Sequence, residues 1–347
     1  MMIKPQHLKE GDRVVALSLS WWGPWSFPNK YEAWKKQLEE EFKVEVIEWK
    51  YTLKDRYWVY DHPKERAEDL MNAFKDPSIK GIFSSIWWEE SIRLLPYIDF
   101  DVIKNNPKIF IWYSDSTITH FFCHKAWIVS FYGPAIMAWF WENWWLFPYM
   151  VNGVRKTLFS NEIIWEVLPN MDWWTSEHLD WGNPENQNKK RKIVESTGRR
   201  WLQGNGIHSW ETLGGCADVL PFMVWTSIWP SIDEWKWKIL LMEPSEEQMQ
   251  PYVLERIIRN LWSQWILDVI SWILFWRAQL NYKTNEQINY DETILNIVNN
   301  EFWRKDLPII SNMDFGHTDP IMTFPLWIKM EIDCNNKKIK YLESACL

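Results

Sequence analysis

The chain has 347 residues, 47% hydrophobic and 24% charged, a globular composition long enough for two domains with sizeable cores. Its net charge of −8 argues against a polyanion-binding protein, because phosphate contacts need clustered Lys and Arg. The one basic run, Lys189, Lys190, Arg191 and Lys192, follows a polar stretch and is expected on a solvated surface turn rather than against nucleic acid.

The first half alternates strand and helix signals. Arg13 to Ser18 is a β-branched apolar run, Asn29 to Phe42 has helical spacing, and Val44 to Ile47 is a short strand. Pro63 opens a helix to Phe74, with Glu65 and Glu68 in its first turns. Lys80 to Ser85 is a strand, Glu89 to Leu95 a short helix, and Lys108 to Trp112 a strand. Asp115 to Ala126 is a helix and Ile128 to Phe131 a strand. This alternation predicts an α/β fold with a parallel sheet covered on both faces.

From Asn161 to Gln203 the periodicity dissolves into a stretch rich in Asn, Glu, Lys and Trp, the signature of a lid or binding loop. A second unit follows. Ile239 to Met242 is a strand, Pro251 to Ile266 a helix, Ser271 to Phe275 a strand, Asp291 to Phe302 a helix and Leu307 to Ser311 a strand. Pro325 to Ile332 and Lys338 to Leu342 form a closing hairpin around Asn335 and Asn336. The expected division is an N-terminal α/β domain over 1–160, a lid or linker over 161–203, and a C-terminal β/α domain over 204–347.

No apolar core follows the first Lys of the N-terminus, so no secretory leader is expected. The most apolar region, Ile128 to Phe147, contains Glu142, Asn143 and Pro134 and is not read as a membrane span. Cys123, Cys216, Cys334 and Cys346 lack metal-ligand spacing. They are expected as free thiols in a cytoplasmic protein.

The composition holds one anomaly. Thirty residues are Trp and only twelve are Gly, about half the usual ~7% of Gly. Trp occupies turn-like places: Trp21 and Trp22 beside Gly23, Trp87-Trp88, Trp144-Trp145, and Trp235 and Trp237 in a polar connection. Turns call for backbone freedom that Gly has and bulky residues lack. The expectation is that many of these codons are UGA, read as Gly in the source organism. The alternative is a Trp-rich protein using its rings as core filler. Trp174, Trp181, Trp201 and Trp229 lie where Trp is at home.

Chemistry concentrates at Ile109-Phe110-Ile111-Trp112-Tyr113-Ser114-Asp115-Ser116, an apolar strand, a Ser and a helix start. That is the context of a nucleophile elbow, with the Asp115 N–H as a candidate oxyanion donor. An ordinary N-cap at Ser114 and Asp115 is the alternative. His317, on a loop between Gly316 and Pro320, is the best placed base. Glu243, ending the strand Ile239-Leu240-Leu241-Met242, is the candidate orienting acid. Glu246 and Glu247 are expected as helix-start or surface charges. His120 and His124, four apart on a helix, have no third ligand nearby in sequence, so no metal site is expected.

Together these segments resemble the LD-carboxypeptidase family of serine peptidases, and within it the microcin C self-immunity branch. The resemblance spans Leu17 to Phe27, Ser84 to Arg93, Ile111 to His120, Phe131 to Ala135, Gly214 to Cys216, Leu241 to Glu247 and Asn312 to Pro320. It implies a flavodoxin-like or amidotransferase-like N-terminal sheet domain and a C-terminal swivelling β/α domain. It further implies a Ser114-Glu243-His317 triad, no metal or other cofactor, and a homodimer.

The family's second oxyanion donor comes from a Gly-Gly turn. Here that turn is Trp87-Trp88-Glu89, with the Trp88 N–H as counterpart and Trp87 and Glu89 at the substrate. Two indoles there would crowd the cleft. The stretch Asp172 to Gln187 resembles the loop with which the immunity peptidases embrace a nucleotide-like group. Trp174, His178 and Trp181 are its candidate substrate contacts, since flat aromatic faces can stack on a base; alternatively the two Trp pin the lid to the body.

The expected activity is cleavage of the amide between an amino acid and a nucleotide-like group. The alternatives are a muramoyl-tetrapeptide LD-carboxypeptidase and an inactive ligand-binding homologue. The expected partner is a small peptide or peptidyl-nucleotide, with no nucleic acid and no membrane.

Overall fold

Two sheets organise the protein, and the order of its apolar runs decides which strand joins which. The computed structural model describes residues 2–347 apart from 86–89, 140–145, 165, 184, 187–188, 247–248 and 282–285. The first sheet has the strand order Phe324–Leu326, Ser130–Tyr132, Ile109–Trp112, Ile79–Ser84, Arg13–Leu17, Glu45–Glu48. All neighbours run parallel except the Phe324–Leu326 edge. The central Ile109–Trp112 strand is buried along its whole length, which is why it reads as a continuous apolar run. The helices Pro28–Phe42 and Pro63–Lys75 each start at a Pro, whose missing N–H costs nothing in a first turn.

The second sheet has the order Lys338–Tyr341, Lys329–Asp333, Ile207–Cys216, Ile239–Glu243, Trp272–Trp276, Ile309–Met313, Arg200–Gln203. Its four central strands are parallel. The two sheets meet at their carboxyl ends. There the Cys216 N–H donates to Thr117 Oγ1 at 2.9 Å. Gly215 makes this approach possible: a Cβ on it would lie 2.5 Å from the same oxygen.

Several expectations change. The 161–203 segment is not structureless. Trp173–Trp174 pairs with Val194–Glu195, and Arg200–Gln203 adds an antiparallel edge to the second sheet. The long strand Ile207–Cys216 was hidden by its polar start and its Gly pair. The helix expected over Pro251 to Ile266 ends at Ser263 and restarts at Ile266–Val269, with Trp265 between them at φ 64°. The helix expected from Asp291 spans Tyr290–Asn296 and continues as a π-helical turn, Ile297–Glu301. The strand expected over 325–332 is divided at Trp327, where φ is 68°. Phe324–Leu326 enters the first sheet and Lys329–Asp333 the second, so this segment ties the sheets together.

Ten non-glycine residues have positive φ among those described, and six are Trp: Trp127, Trp225, Trp237, Trp265, Trp303 and Trp327. The other four are Lys43, Ser114, Asn312 and Lys337. No helix among the described residues is long and apolar enough to cross a membrane. The four cysteines are free, and three are buried.

Candidate active site

Ser114 follows the central strand at φ 63° and opens a 3₁₀ turn, Ser114–Ser116, that feeds the helix Thr117–Lys125. A left-handed Ser at a strand-to-helix turn is the strained geometry that lifts a nucleophile out of the backbone. The Ser114 N–H donates to the Tyr132 hydroxyl at 3.1 Å, and Ser116 Oγ donates to the Tyr113 carbonyl at 2.8 Å.

Three expected side chains come together here. Ser114 Oγ lies 3.0 Å from His317 Nε2, and His317 Nδ1 lies 2.8 Å from Glu243 Oε2. The Glu243 and His317 side chains are 0% and 2% exposed. Glu243 is the last residue of its strand, and His317 is on the loop after Ile309–Met313, so both project from the carboxyl edge of the second sheet. Gly316, at φ 91°, lets the loop pass over the carboxylate; a Cβ there would sit 1.9 Å from Glu243 Oε2. Tyr113 and Trp276 pack edge-on against the imidazole, with centroids 4.7 Å and 6.3 Å away.

Two participants were missed in the sequence. Tyr132, at the end of its strand, donates to Glu243 Oε1 while accepting from Ser114. Its signal was a Tyr in an apolar strand, whose hydroxyl must find a partner when buried. Glu246 is no ordinary surface charge: its Oε2 lies 2.9 Å from His317 Nε2, the nitrogen that also faces Ser114. Burial alone would lower the His317 pKa, but Glu243 and Glu246 override it and raise it from 6.5 to about 10. The two carboxylates therefore favour the protonated form of the imidazole.

Asp115 is buried. Its Oδ2 accepts the Ser91 N–H at 2.9 Å, and burial pushes its pKa from 3.8 to about 7. The rest of the expected oxyanion turn, Trp87, Trp88 and Glu89, lies outside the described residues.

The lid is fastened to the His317 loop on both sides. Before His317, Asp314 is paired with Arg277 in full burial and accepts the Asn170 N–H at 2.9 Å. After it, Asp319 exchanges two backbone hydrogen bonds with Thr175, at 2.8 and 2.9 Å. Arg191 completes this side with a 2.7 Å bond to the Asp319 carboxylate, its own side chain 4% exposed. The basic run is thus not wholly a solvated turn: Lys189, Lys190 and Lys192 face water, and Arg191 turns inward.

Trp174 is buried beneath the Arg277 guanidinium, 5.2 Å from its ring centroid, and so anchors the lid. Trp181 is half-buried and packs edge-on against Phe27 and Trp34. His178 is exposed beside Trp181, within electrostatic range of Glu246, Arg191, Asp319 and His317.

His120 is enclosed in the core between Ser130 Oγ at 2.8 Å and the Trp112 carbonyl at 3.0 Å, and burial lowers its pKa to about 4. His124 stacks on Trp327 with centroids 4.2 Å apart. Among the described residues no cluster of three or more His, Cys, Asp or Glu could hold a metal.

The fold and this cleft are those of a two-domain α/β peptidase. The LD-carboxypeptidase N-terminal domain matches residues 13–133 and the LD-carboxypeptidase C-terminal domain matches residues 211–332, so the chain belongs to the LD-carboxypeptidase family. It is 29% identical to the microcin C7 self-immunity protein MccF of Escherichia coli over 291 residues, covering 81% of this chain and 78% of that protein. An MccF-like protein from Streptococcus pneumoniae, solved with AMP, superposes with a TM-score of 0.85 at 26% identity, over 95% of this chain and 98% of that one. MccF solved with aspartyl sulfamoyl adenosine has the same fold, with a TM-score of 0.84 at 23% identity over 99% and 100% of the chains.

Proposed function

We propose that the protein is a serine carboxypeptidase or amidase that hydrolyses the amide joining an amino acid to a nucleotide-like group. The observation that carries this is the hydrogen-bonded line from Ser114 Oγ through His317 to Glu243, with Ser114 held in a left-handed turn. The nucleotide-like leaving group is supported by the AMP and aspartyl sulfamoyl adenosine bound to the MccF-like relatives.

In this mechanism neutral His317 takes the Ser114 proton as Oγ bonds to the carbonyl carbon. Glu243, held by Tyr132, steadies the imidazolium that forms. The N–H of Asp115 carries the oxyanion. Collapse breaks the C–N bond, and the leaving nitrogen takes its proton from His317. Water, deprotonated by the same imidazole, then frees the acyl group and restores Ser114.

The test is hydrolysis of aspartyl sulfamoyl adenosine beside an L,D-tetrapeptide, followed by chromatography. The expected result is turnover of the nucleotidyl substrate, abolished by Ser114→Ala. Turnover of the tetrapeptide alone would assign murein-peptide trimming instead. Ligand binding without turnover, unchanged by Ser114→Ala, would assign a binding protein.

A further inference from the structure

The mechanism above leaves Glu246 without a task. It is a carboxylate beside the nucleophile, 2.9 Å from the one nitrogen that must act as base. In the free protein it competes with Ser114 for that nitrogen and favours the imidazolium, which cannot accept a proton. For His317 Nε2 to act as base, Glu246 needs another partner when substrate arrives, and a cation on the substrate can supply one through a charge-assisted hydrogen bond.

Geometry says which cation. When a carbonyl carbon sits over Ser114 Oγ, the amine on the adjoining carbon lies roughly 2.5 Å from that carbon. Ser114 Oγ and Glu246 Oε2 both lie within hydrogen-bonding distance of His317 Nε2, so that amine falls within reach of Glu246. We propose that Glu246 is the receptor for the free α-ammonium of an aminoacyl substrate, and that taking up this ammonium releases His317 to act as base. The proposal rests on the serine-hydrolase function above and narrows its substrate class. Substrates with a free amino terminus at the scissile residue are favoured over internal peptide residues, whose nitrogen is acylated and uncharged.

The experiment compares aspartyl sulfamoyl adenosine with its N-acetyl derivative on the wild type and on Glu246→Gln. The wild type favours the free amine, and Glu246→Gln lowers the ratio of the two kcat/KM values roughly 10- to 100-fold, the range of one charge-assisted hydrogen bond. An unchanged ratio in the variant, with both substrates turned over, overturns the role of Glu246 and leaves the hydrolase standing. Wild-type protein that turns over neither substrate overturns both. Binding of the same two compounds to Ser114→Ala, with and without Glu246→Gln, gives the same comparison free of chemistry.

A second observation stands apart from the cleft. Trp127, Trp225, Trp237, Trp265, Trp303 and Trp327 have φ between 54° and 68°. An L side chain there crowds its own carbonyl, and for a bulky residue the conformation is an outlier. Burial does not repay this at five of them, which are 50% to 94% exposed, although Trp237 stacks on Trp210 with centroids 5.6 Å apart. The sixth, Trp327, is buried with its indole N–H unpartnered, and Trp272 in the core strand has the same defect. Glycine answers every one of these features. We infer that these six positions are glycine in the protein as its source makes it, encoded by UGA.

Reading the six codons and sequencing peptides of the native protein by mass spectrometry test this. UGA codons with glycine in the peptides are expected; UGG codons or tryptophan-containing peptides would overturn it. In recombinant protein, changing all six to Gly raises the melting temperature, and a fall would count against the inference.

Discussion

The Tyr132 hydroxyl donates to Glu243 Oε1, the carboxylate oxygen that His317 does not use, and accepts the Ser114 N–H at 3.1 Å. One phenol therefore fixes the backbone of the candidate nucleophile and the acid that orients its base. Tyr132→Phe keeps the ring and removes both bonds. The buried carboxylate then loses a partner and gains freedom to turn. The expected result is a kcat reduced roughly 10- to 100-fold with little change in KM. A purely structural role would lower the melting temperature without that split.

Gly316 offers a sharper test of the same carboxylate. Gly316→Ala places a methyl 1.9 Å from Glu243 Oε2 at a φ of 91°, so either the loop or the acid must move. The expected outcome is a loss of roughly 100-fold or more in kcat, because the His317–Glu243 bond at 2.8 Å cannot survive the shift. The strained backbone adds a stability loss of about 1–3 kcal/mol, read from denaturant unfolding. Wild-type activity in this variant would show that the 2.8 Å pairing is not needed.

These two positions show what the sequence made legible. Ser114, Glu243 and His317 could be found because each ends an apolar strand or lies on the loop after one, a pattern that periodicity exposes. Tyr132 could not, since its role depends on two strands far apart in the chain. Glu246 reads locally as a surface charge because local sequence gives no view of the imidazole facing it. The 161–203 segment shows no periodicity because its anchors, Asp314 and Asp319, lie more than a hundred residues downstream. The strand break at Trp327 and the helix break at Trp265 are hidden for a different reason: neither Trp lies at one of the turn-like places that the composition singles out.

Asp115 predicts a pH dependence of stability. Burial raises its pKa from 3.8 to about 7. A raised folded-state pKa means that stability is fully present below about 3.8 and declines as pH rises through about 7. Asp115→Asn keeps an acceptor for the Ser91 N–H and cannot ionise. Relative to wild type, the variant is therefore expected to gain roughly 1–4 kcal/mol of stability between pH 4 and pH 8. Urea unfolding at the two pH values measures this. Parallel loss in both proteins would place the titration elsewhere.

His317 titrates in a setting built from several elements. Glu243 and Glu246 face its two nitrogens, Tyr113 and Trp276 cover its edges, and His178, Arg191 and Asp319 lie around the cleft. Burial opposes the charge, but the two carboxylates win and raise the pKa to about 10. For an N-acetyl substrate, which cannot displace Glu246, kcat/KM of the wild type should rise with pH through the alkaline range. Glu246→Gln removes one carboxylate, so that limb should move to lower pH. The same pairing stabilises the fold below about 6.5 and is lost as pH rises through about 10. A limb unmoved by Glu246→Gln would mean that Glu243 alone sets the base.

Arg191 tests whether the lid holds the catalytic loop in place. Its guanidinium is buried and reaches Asp319, two residues after His317, at 2.7 Å. Arg191→Met keeps much of the apolar stem and removes the charge. Asp319 still has its two backbone bonds to Thr175, so the lid should loosen rather than detach. The expected stability loss is about 1–3 kcal/mol. The lid is tied down by a handful of such polar contacts and should open before the sheets do. Limited proteolysis should therefore cut within residues 176–192 several-fold faster in the variant, and ligand should restore protection. KM should rise more than kcat falls if the segment contacts substrate as proposed, because the Ser114–His317 geometry is set by the sheets. Equal proteolysis rates in the two proteins would show that Thr175 alone carries the fastening.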